Sequence, residues 1–305
     1  MLVFVAAPDV SMRGDVVEQM YEQLLCIGHV PRLDIFLHSA GGQTEIPWRL
    51  ITLIRDFADQ FAVLIPGIAH SAATHLAMGA DEIVMGPLSE LSPVDPSRSH
   101  PLLPRGPNQE LIPAVSVQDL RQCVEFVKKE IGDESPESMA AVFVKLFEEV
   151  HPLAIGAIQQ SYDLARLISR KALSTHMDPA DDKEQIDKIV QAFSDEFYSH
   201  GYRIGWREAK QTGLKVVKAD DELWKLVSAL YAHYRDYFGR AMPSAGSQEI
   251  SRPIVWLDSA YQRRILEEIY AGPAGRPGEK VPPERKGARW LVTAWEAEPE
   301  RAEES

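Results

Sequence analysis

The chain has 305 residues, of which 45% are hydrophobic and 25% charged, the balance of a globular protein large enough for one sizeable core or two modest ones. A formal net charge of −13 argues against nonspecific binding to nucleic acid or anionic lipid. The two cysteines, Cys26 and Cys123, lie far apart among apolar residues of predicted helices; they are expected to be buried thiols, a usage that suits a reducing, cytoplasmic setting.

Residues 2–6 read as a short buried strand, after which Val16, Val17, Met20, Leu24 and Ile27 recur at helical spacing over residues 14–27. Leu33–Leu37 is the next strand. Thr44 is a plausible cap for a helix running from Ile46 to Ala58. Phe61–Ile65 reads as a strand, Ser71–Met78 as a helix and Glu82–Met85 as a strand. Strands that are apolar throughout and alternate with helices imply an α/β fold with a mostly parallel sheet covered on both faces. The opening Met1–Asp9 lacks the basic flank of a signal peptide, and no apolar run reaches the roughly 18 residues of a membrane span.

Residues 93–113 hold six prolines and no periodicity, the mark of a long loop. Helical stripes follow: Val117, Leu120, Val124, Val127 and Ile131; Ile155, Ile158, Tyr162, Ala165 and Ile168; Ile186, Ile189, Phe193 and Phe197; Leu223, Val227, Leu230 and Tyr234. Core packing is the expected use of each. Residues 240–252 and 271–288, rich in Gly, Pro, Ser and charge, read as linkers. The apolar segments Pro253–Leu257 and Arg289–Trp295 suit a small terminal sheet or hairpin, and residues 296–305 a frayed tail. The division is therefore a main domain over 1–240, with a helical middle, and a C-terminal extension over 241–305.

The chemistry concentrates between residues 35 and 95. Gly41-Gly42 follows a strand, where glycine lets a ligand approach the backbone. Ser71 opens a helix, whose free N–H groups and dipole favour a developing negative charge. An acyl-transfer site needs a nucleophile with two such donors within about 3 Å of one oxygen. The N–H of Ala72 is one candidate donor, and that of Gly41 or Gly42 the other.

The motifs His38-Ser39-Ala40-Gly41-Gly42, Ala69-His70-Ser71-Ala72-Ala73-Thr74, Ala80–Pro87 and Pro93-Val94-Asp95-Pro96 resemble those of the Clp/crotonase-fold serine peptidases. So do His151–Ala154, Tyr198–Gly201, Arg207–Lys210 and Gly213-Leu214. The nearest branch is the serine dehydrogenase proteinases, related to signal peptide peptidase A. The resemblance covers roughly residues 10–235. It implies a spiral of ββα units, Ser71 as nucleophile, an oxyanion hole from Gly42 and Ala72, a peptide or protein substrate and a homo-oligomer. Position 40 is Ala where the branch often has Pro, and position 73 is Ala where it often has Gly.

A serine hydroxyl needs a base. Where Clp-type relatives carry a histidine, the chain has Val94-Asp95, and no lysine occurs before Lys128. The candidates are His100, in the proline-rich loop beyond the expected region, His75, one helical turn past Ser71, His70, Lys128 and Lys129, or none. His38 is expected to orient the loop at Gly41, His151 to start a helix, and His176 and His200 to sit at helix ends that favour a cation. No histidine pair has a metal-helix spacing, so neither metal nor cofactor is expected. Three functions remain: a serine peptidase or related acyl hydrolase, a catalytically silent Clp-fold oligomer that binds a partner, and an acyl-CoA enzyme of the crotonase type. The last is disfavoured by the lack of a basic patch for a 3′-phosphate.

Overall fold

The computed structural model describes residues 1–94, 100–104, 115–131, 135–197, 201–238, 242–243, 249–271 and 285–294. Its first half is a run of strand–helix units: β1 (Leu2–Ala6), α1 (Gly14–Ile27), β2 (Val30–His38), α2 (Ile46–Phe57), β3 (Ala58–Ile65), β4 (Ile68–Ala69), α3 (Ala72–Met78), β5 (Glu82–Met85) and β6 (Glu90–Leu91). The helical middle comprises α4 (Val117–Ile131), α5 (Pro136–Glu149), α6 (Pro152–Leu173), α7 (Lys183–Gln191), a π-helical turn (Ala192–Glu196) and α8 (Trp206–Thr212). The chain then adds β7 (Val216–Lys218), α9 (Asp221–Arg235), β8 (Met242–Pro243), β9 (Glu249–Asp258), β10 (Gln262–Ala271) and β11 (Arg285–Ala294).

One mixed sheet organises the molecule, in the order β11-β10-β9-β1-β2-β3-β5-β7, with β8 paired to β9. The pairs β1–β2, β2–β3, β3–β5 and β5–β7 are parallel, as apolar strands joined by helices require. Alternate residues supply the two faces. Leu2, Phe4, Ile35, Leu37 and Leu257 join the large cluster under α1, α2 and α3, whereas Val3, Val5, Phe36 and Trp256 pack with Val227 and Tyr234 of α9.

A second, shorter row of pairings crosses the ends of these strands. Met12 bridges Gly42, Ser39 bridges Ala69, β4 pairs with β6, and Leu91 bridges Ile204. Each main strand thus hands the chain to a short segment of this row before a helix begins. That is a repeated ββα unit, and it builds the spiral expected from the motifs.

The structure departs from the sequence reading in several places. Glu45, not Thr44, occupies the N-cap of α2, and the helix gives way to β3 at Ala58 rather than running through it. Pro47 lies in its first turn, where a missing N–H costs nothing. The α4 stripe is not core: Val117 is buried, but Val124 and Val127 are only partly covered. The physical reason is that α4 anchors on α6 through its first turns, while α5 buries no residue at all. Cys26 and Cys123 are both exposed. Cys26 lies off the face of α1 that buries Val16, Val17, Met20 and Leu24, and Cys123 lies on the open side of α4.

The terminal strands do not form a sheet of their own. β9 pairs antiparallel with β1, so β9, β10 and β11 prolong the main sheet. The strand β10 escaped notice because Arg263, Arg264, Glu267 and Glu268 break its apolar pattern. Those charges are paired across the sheet, as in Arg263 with Asp258 and Arg252 with Glu268. The tail 296–305 and residues 272–284 lie outside the described residues.

Candidate active site

The short second row of strands brings three segments side by side: Ser39–Gly42, Ile68–Ser71 and Glu90–Ser92. Ser39 N–H donates to Ile68 O (3.0 Å) and His70 N–H to Ser39 O (3.0 Å), which locks the first two together. On the other edge of the first segment, Met12 N–H donates to Gly41 O (2.7 Å) and Gln43 N–H to Met12 O (3.0 Å). In this parallel bridge Met12 bonds to the residues on either side of Gly42, so the Gly42 N–H faces away from Met12. It donates to no described residue, and neither does the N–H of Ala72 at the start of α3. Gly41 N–H, in contrast, is taken by Ser39 Oγ (3.1 Å).

Ser71 sits at φ 49°, ψ −115°, the only non-glycine residue with positive φ among the described residues. That conformation suits glycine and costs a side-chain-bearing residue about 1–3 kcal/mol. Two contacts hold it. Ser71 N–H donates to Ser92 Oγ (2.8 Å), and Ser71 O accepts from His75 N–H (3.2 Å) as the helix begins. Ser92 is fixed in turn, its Oγ donating to Pro93 O (3.0 Å) and its N–H to Thr74 Oγ1 (3.2 Å). The Ser71 side chain is half-buried, and its hydroxyl has no hydrogen-bond partner among the described residues.

Gly41 packs directly on this turn. A Cβ added there lies 2.5 Å from His70 O and 2.9 Å from both Ala72 N and Ser71 Cβ. Only glycine lets the two segments approach so closely, and its φ of +95° is one that glycine alone adopts without strain. The residues brought together are thus Gly41, Ser71 and Ala72, with Gly42 next along the chain and packed on Met12 and Ser11.

The candidate bases are distributed around this centre. His100 Nδ1 accepts from Leu102 N–H (3.2 Å), capping its own turn. Lys128 pairs with Glu125 on its own helix (2.9 Å), and Lys129 is exposed. His70 turns from Ser71 toward Arg203, whose Nη1 lies 2.9 Å from Nδ1, with Glu90 Oε2 3.5 Å from Nε2. His75 is 2% exposed; its Nε2 lies 3.1 Å from Ala165 O, and its Nδ1 is buried with no hydrogen-bond partner. Burial pushes the His75 pKa down to about 4, against the opposing effect of the Ala165 carbonyl.

His38 does not bond the Gly41 loop. Its Nδ1 accepts from Ile68 N–H (3.2 Å), so the ring proton lies on Nε2 and donates to Tyr231 Oη (3.1 Å). Burial lowers its pKa to about 4, so the ring is a neutral strut between β2, β4 and α9. His151 Nδ1 caps α6 by accepting from Leu153 N–H, as expected. His176 is no helix-end cation: burial lowers its pKa, and its Nε2 meets Met78 O at 2.9 Å. His200 and Asp95 lie outside the described residues. The sequence reading missed the supporting set of Ser39, Ser92, Glu90, Arg203 and Tyr231. Of these, Ser39 falls within the His38–Gly42 motif already singled out, and Ser92 immediately precedes Pro93-Val94-Asp95-Pro96; the other three carried no signal.

No protein-family model matches the chain. Among curated proteins, an uncharacterized protein of Methanocaldococcus jannaschii is 21% identical over 215 residues, covering 69% of this chain and 64% of its own length. The chain thus spans less than two thirds of that relative. Among solved structures, a mutant of the membrane-bound stomatin-specific protease 1510-N in complex with a substrate peptide is similar at 13% identity and TM-score 0.38, covering 78% of this chain and 82% of that one. A ClpP1 mutant from Listeria monocytogenes has the same identity and TM-score over 72% of this chain and 94% of its own. The ClpP catalytic domain from Plasmodium falciparum is 12% identical at TM-score 0.35, over 69% and 82%. These are likenesses of fold to serine peptidases. No described helix is long and apolar enough to cross a membrane.

Proposed function

We propose that the protein is a serine hydrolase of the peptidase type, with Ser71 as nucleophile. The observation that carries the reading is the strained backbone at Ser71. A glycine-like conformation is kept for a serine whose hydroxyl is unpartnered, at the N-terminus of a helix, against a glycine that nothing larger replaces. Strain of this kind gathers at reactive centres, where a sharp strand-to-helix turn presents the nucleophile. The unpaired N–H groups of Gly42 and Ala72 supply the oxyanion hole; Gly41 N–H is the weaker choice, since Ser39 Oγ already accepts from it. Ser71 Oγ attacks a substrate carbonyl, the oxyanion rests on the two N–H groups, and water releases the acyl group. Membership of the serine dehydrogenase proteinase branch, a peptide substrate and a homo-oligomeric state form part of the same proposal and rest on the motifs.

A fluorophosphonate probe tests it. Labelling of Ser71 in the wild type, absent in Ser71→Ala, is expected; a folded protein that stays unlabelled at Ser71 would sink the reading. The second reading, a catalytically silent binding oligomer, is favoured by one fact: no described base lies within hydrogen-bond distance of Ser71 Oγ. It requires that Ser71→Ala leave the biological activity intact.

A further inference from the structure

We propose that His75 is the general base that takes the proton of Ser71, held in the reactive tautomer by the backbone carbonyl of Ala165. The inference rests on the serine-hydrolase reading and names the group that reading leaves open.

A carbonyl oxygen only accepts, so the contact between His75 Nε2 and Ala165 O (3.1 Å) places the ring proton on Nε2. The lone pair then lies on Nδ1, which is buried and has no hydrogen-bond partner. Buried acceptors left open are uncommon in folded proteins; His176 Nδ1 shares this state behind its Met78 contact, so it is the position one turn from Ser71 that singles out His75. A base needs this arrangement: one nitrogen pinned by an acceptor and the other free. Here Ala165 O does the pinning, and it also accepts from Ser169 Oγ (3.1 Å), so the carbonyl is itself held in place.

Placement agrees. Ser71 occupies the N-cap position of α3, outside the helix at φ 49°, and His75 follows one turn later, their backbones joined by the His75 N–H to Ser71 O bond. Helical side chains tilt toward the N-terminus, so the His75 ring leans toward the end of α3 that Ser71 opens. The other candidates are committed: His70 to Arg203 and Glu90, Lys128 to Glu125, and His100 Nδ1 to its own turn. No charged side chain contributes to the proton affinity of His75; burial depresses it and the Ala165 carbonyl partly restores it. The ring is therefore unprotonated at neutral pH.

The step balances. As Ser71 Oγ bonds to the carbonyl carbon, its proton passes to Nδ1 and the C=O π pair moves to the oxygen. The imidazolium returns that proton to the leaving nitrogen as the C–N bond breaks. In deacylation, water attacks the acyl-serine and gives its proton to Nδ1, and Ser71 Oγ takes it back on leaving.

The test is fluorophosphonate labelling of Ser71 followed against pH, with His75→Gln beside the wild type. Gln keeps a donor for Ala165 O but offers no comparable base. The wild-type rate should stay level from pH 8 to 5 and fall only as pH approaches about 4. His75→Gln, with unchanged melting temperature, should label at least ~100-fold more slowly. A half-loss near pH 6.5 in the wild type, or a folded His75→Gln within ~3-fold of it, overturns His75 as base while leaving Ser71 as nucleophile. A wild type that does not label at Ser71 overturns both. Because the pH profile needs no variant, a failure of His75→Gln to fold leaves the proposal open to refutation.

Discussion

Gly41→Ala probes the contact on which the site depends. The added Cβ meets His70 O at 2.5 Å and Ala72 N and Ser71 Cβ at 2.9 Å. Two of those atoms are backbone, so no flexible side chain can swing aside. An L-residue at φ +95° costs about 1–2 kcal/mol, and forced overpacking adds about 1–3 kcal/mol, for a total of roughly 2–5 kcal/mol. At about 2–4 °C per kcal/mol for a large domain, calorimetry should show a drop of roughly 4–20 °C in Tm. The relief must also push the Ala72 N–H away from its present position. A displacement on the order of 1 Å near reacting atoms costs about 100-fold, so labelling of Ser71 should slow by more than the lost stability explains. Gly156→Ala is the matched control: it lies inside α6 with nothing within 4 Å and should gain about 0.5–1 kcal/mol. A Gly41→Ala protein with wild-type Tm and wild-type labelling would refute the packing argument and the placement of Ala72 together.

Two further outcomes follow from the same geometry. Ser71→Gly should raise stability by about 1–3 kcal/mol, read as a higher urea midpoint, because glycine adopts φ 49°, ψ −115° without strain, while fluorophosphonate labelling disappears; an unchanged or lower midpoint would show that Ser71 is not strained. His38 and His75 have pKa values pushed by burial from 6.5 to about 4, so the unfolded chain binds protons the folded one refuses. Their contribution to stability is intact above about pH 6.5 and is lost progressively as pH falls toward 4, by about 2 kcal/mol each at pH 5. Urea midpoints measured between pH 7 and 5 should therefore decline, and less steeply in His38→Asn; a level profile would contradict the burial of both rings.

Of the parallel half of the sheet, β1, β2, β3 and β5 were readable because their cores are apolar and the helices between them carry one-sided stripes; the three-residue β7, with Val217 and Lys218 exposed, was not. The antiparallel end was not. Both faces of β10 bear charges, and their partners Asp258, Arg252 and Arg285 lie on flanking strands. A strand whose charges are neutralised by its neighbours has no signature in its own ten residues. The α4 stripe failed in the opposite way. Its periodicity is genuine, yet an apolar face shows only that something can cover it, and in this chain α5 lies beside α4 without burying any of its own residues.

The candidate-site motif divides along the same line. Gly41-Gly42 and Ser71 stood out in the sequence because each needs a residue type that the local backbone demands: glycine at positive φ at 41, glycine against the Met12 backbone at 42, and a small polar residue opening a helix. What holds them is non-local. Ser92 lies 21 residues beyond Ser71, Tyr231 lies 193 beyond His38, and Ala165 lies 90 beyond His75. Each acts through a single hydrogen bond that a serine, a tyrosine or any backbone carbonyl can make, so residue type carries almost no information about it. The proposed base illustrates this most clearly. His75 did not stand out from the other candidates in the sequence because the group that meets its Nε2 is a main-chain oxygen. An orienting carboxylate would have been visible as an Asp or Glu, whereas an orienting carbonyl is present at every residue and acquires meaning only when α6 lays it against α3.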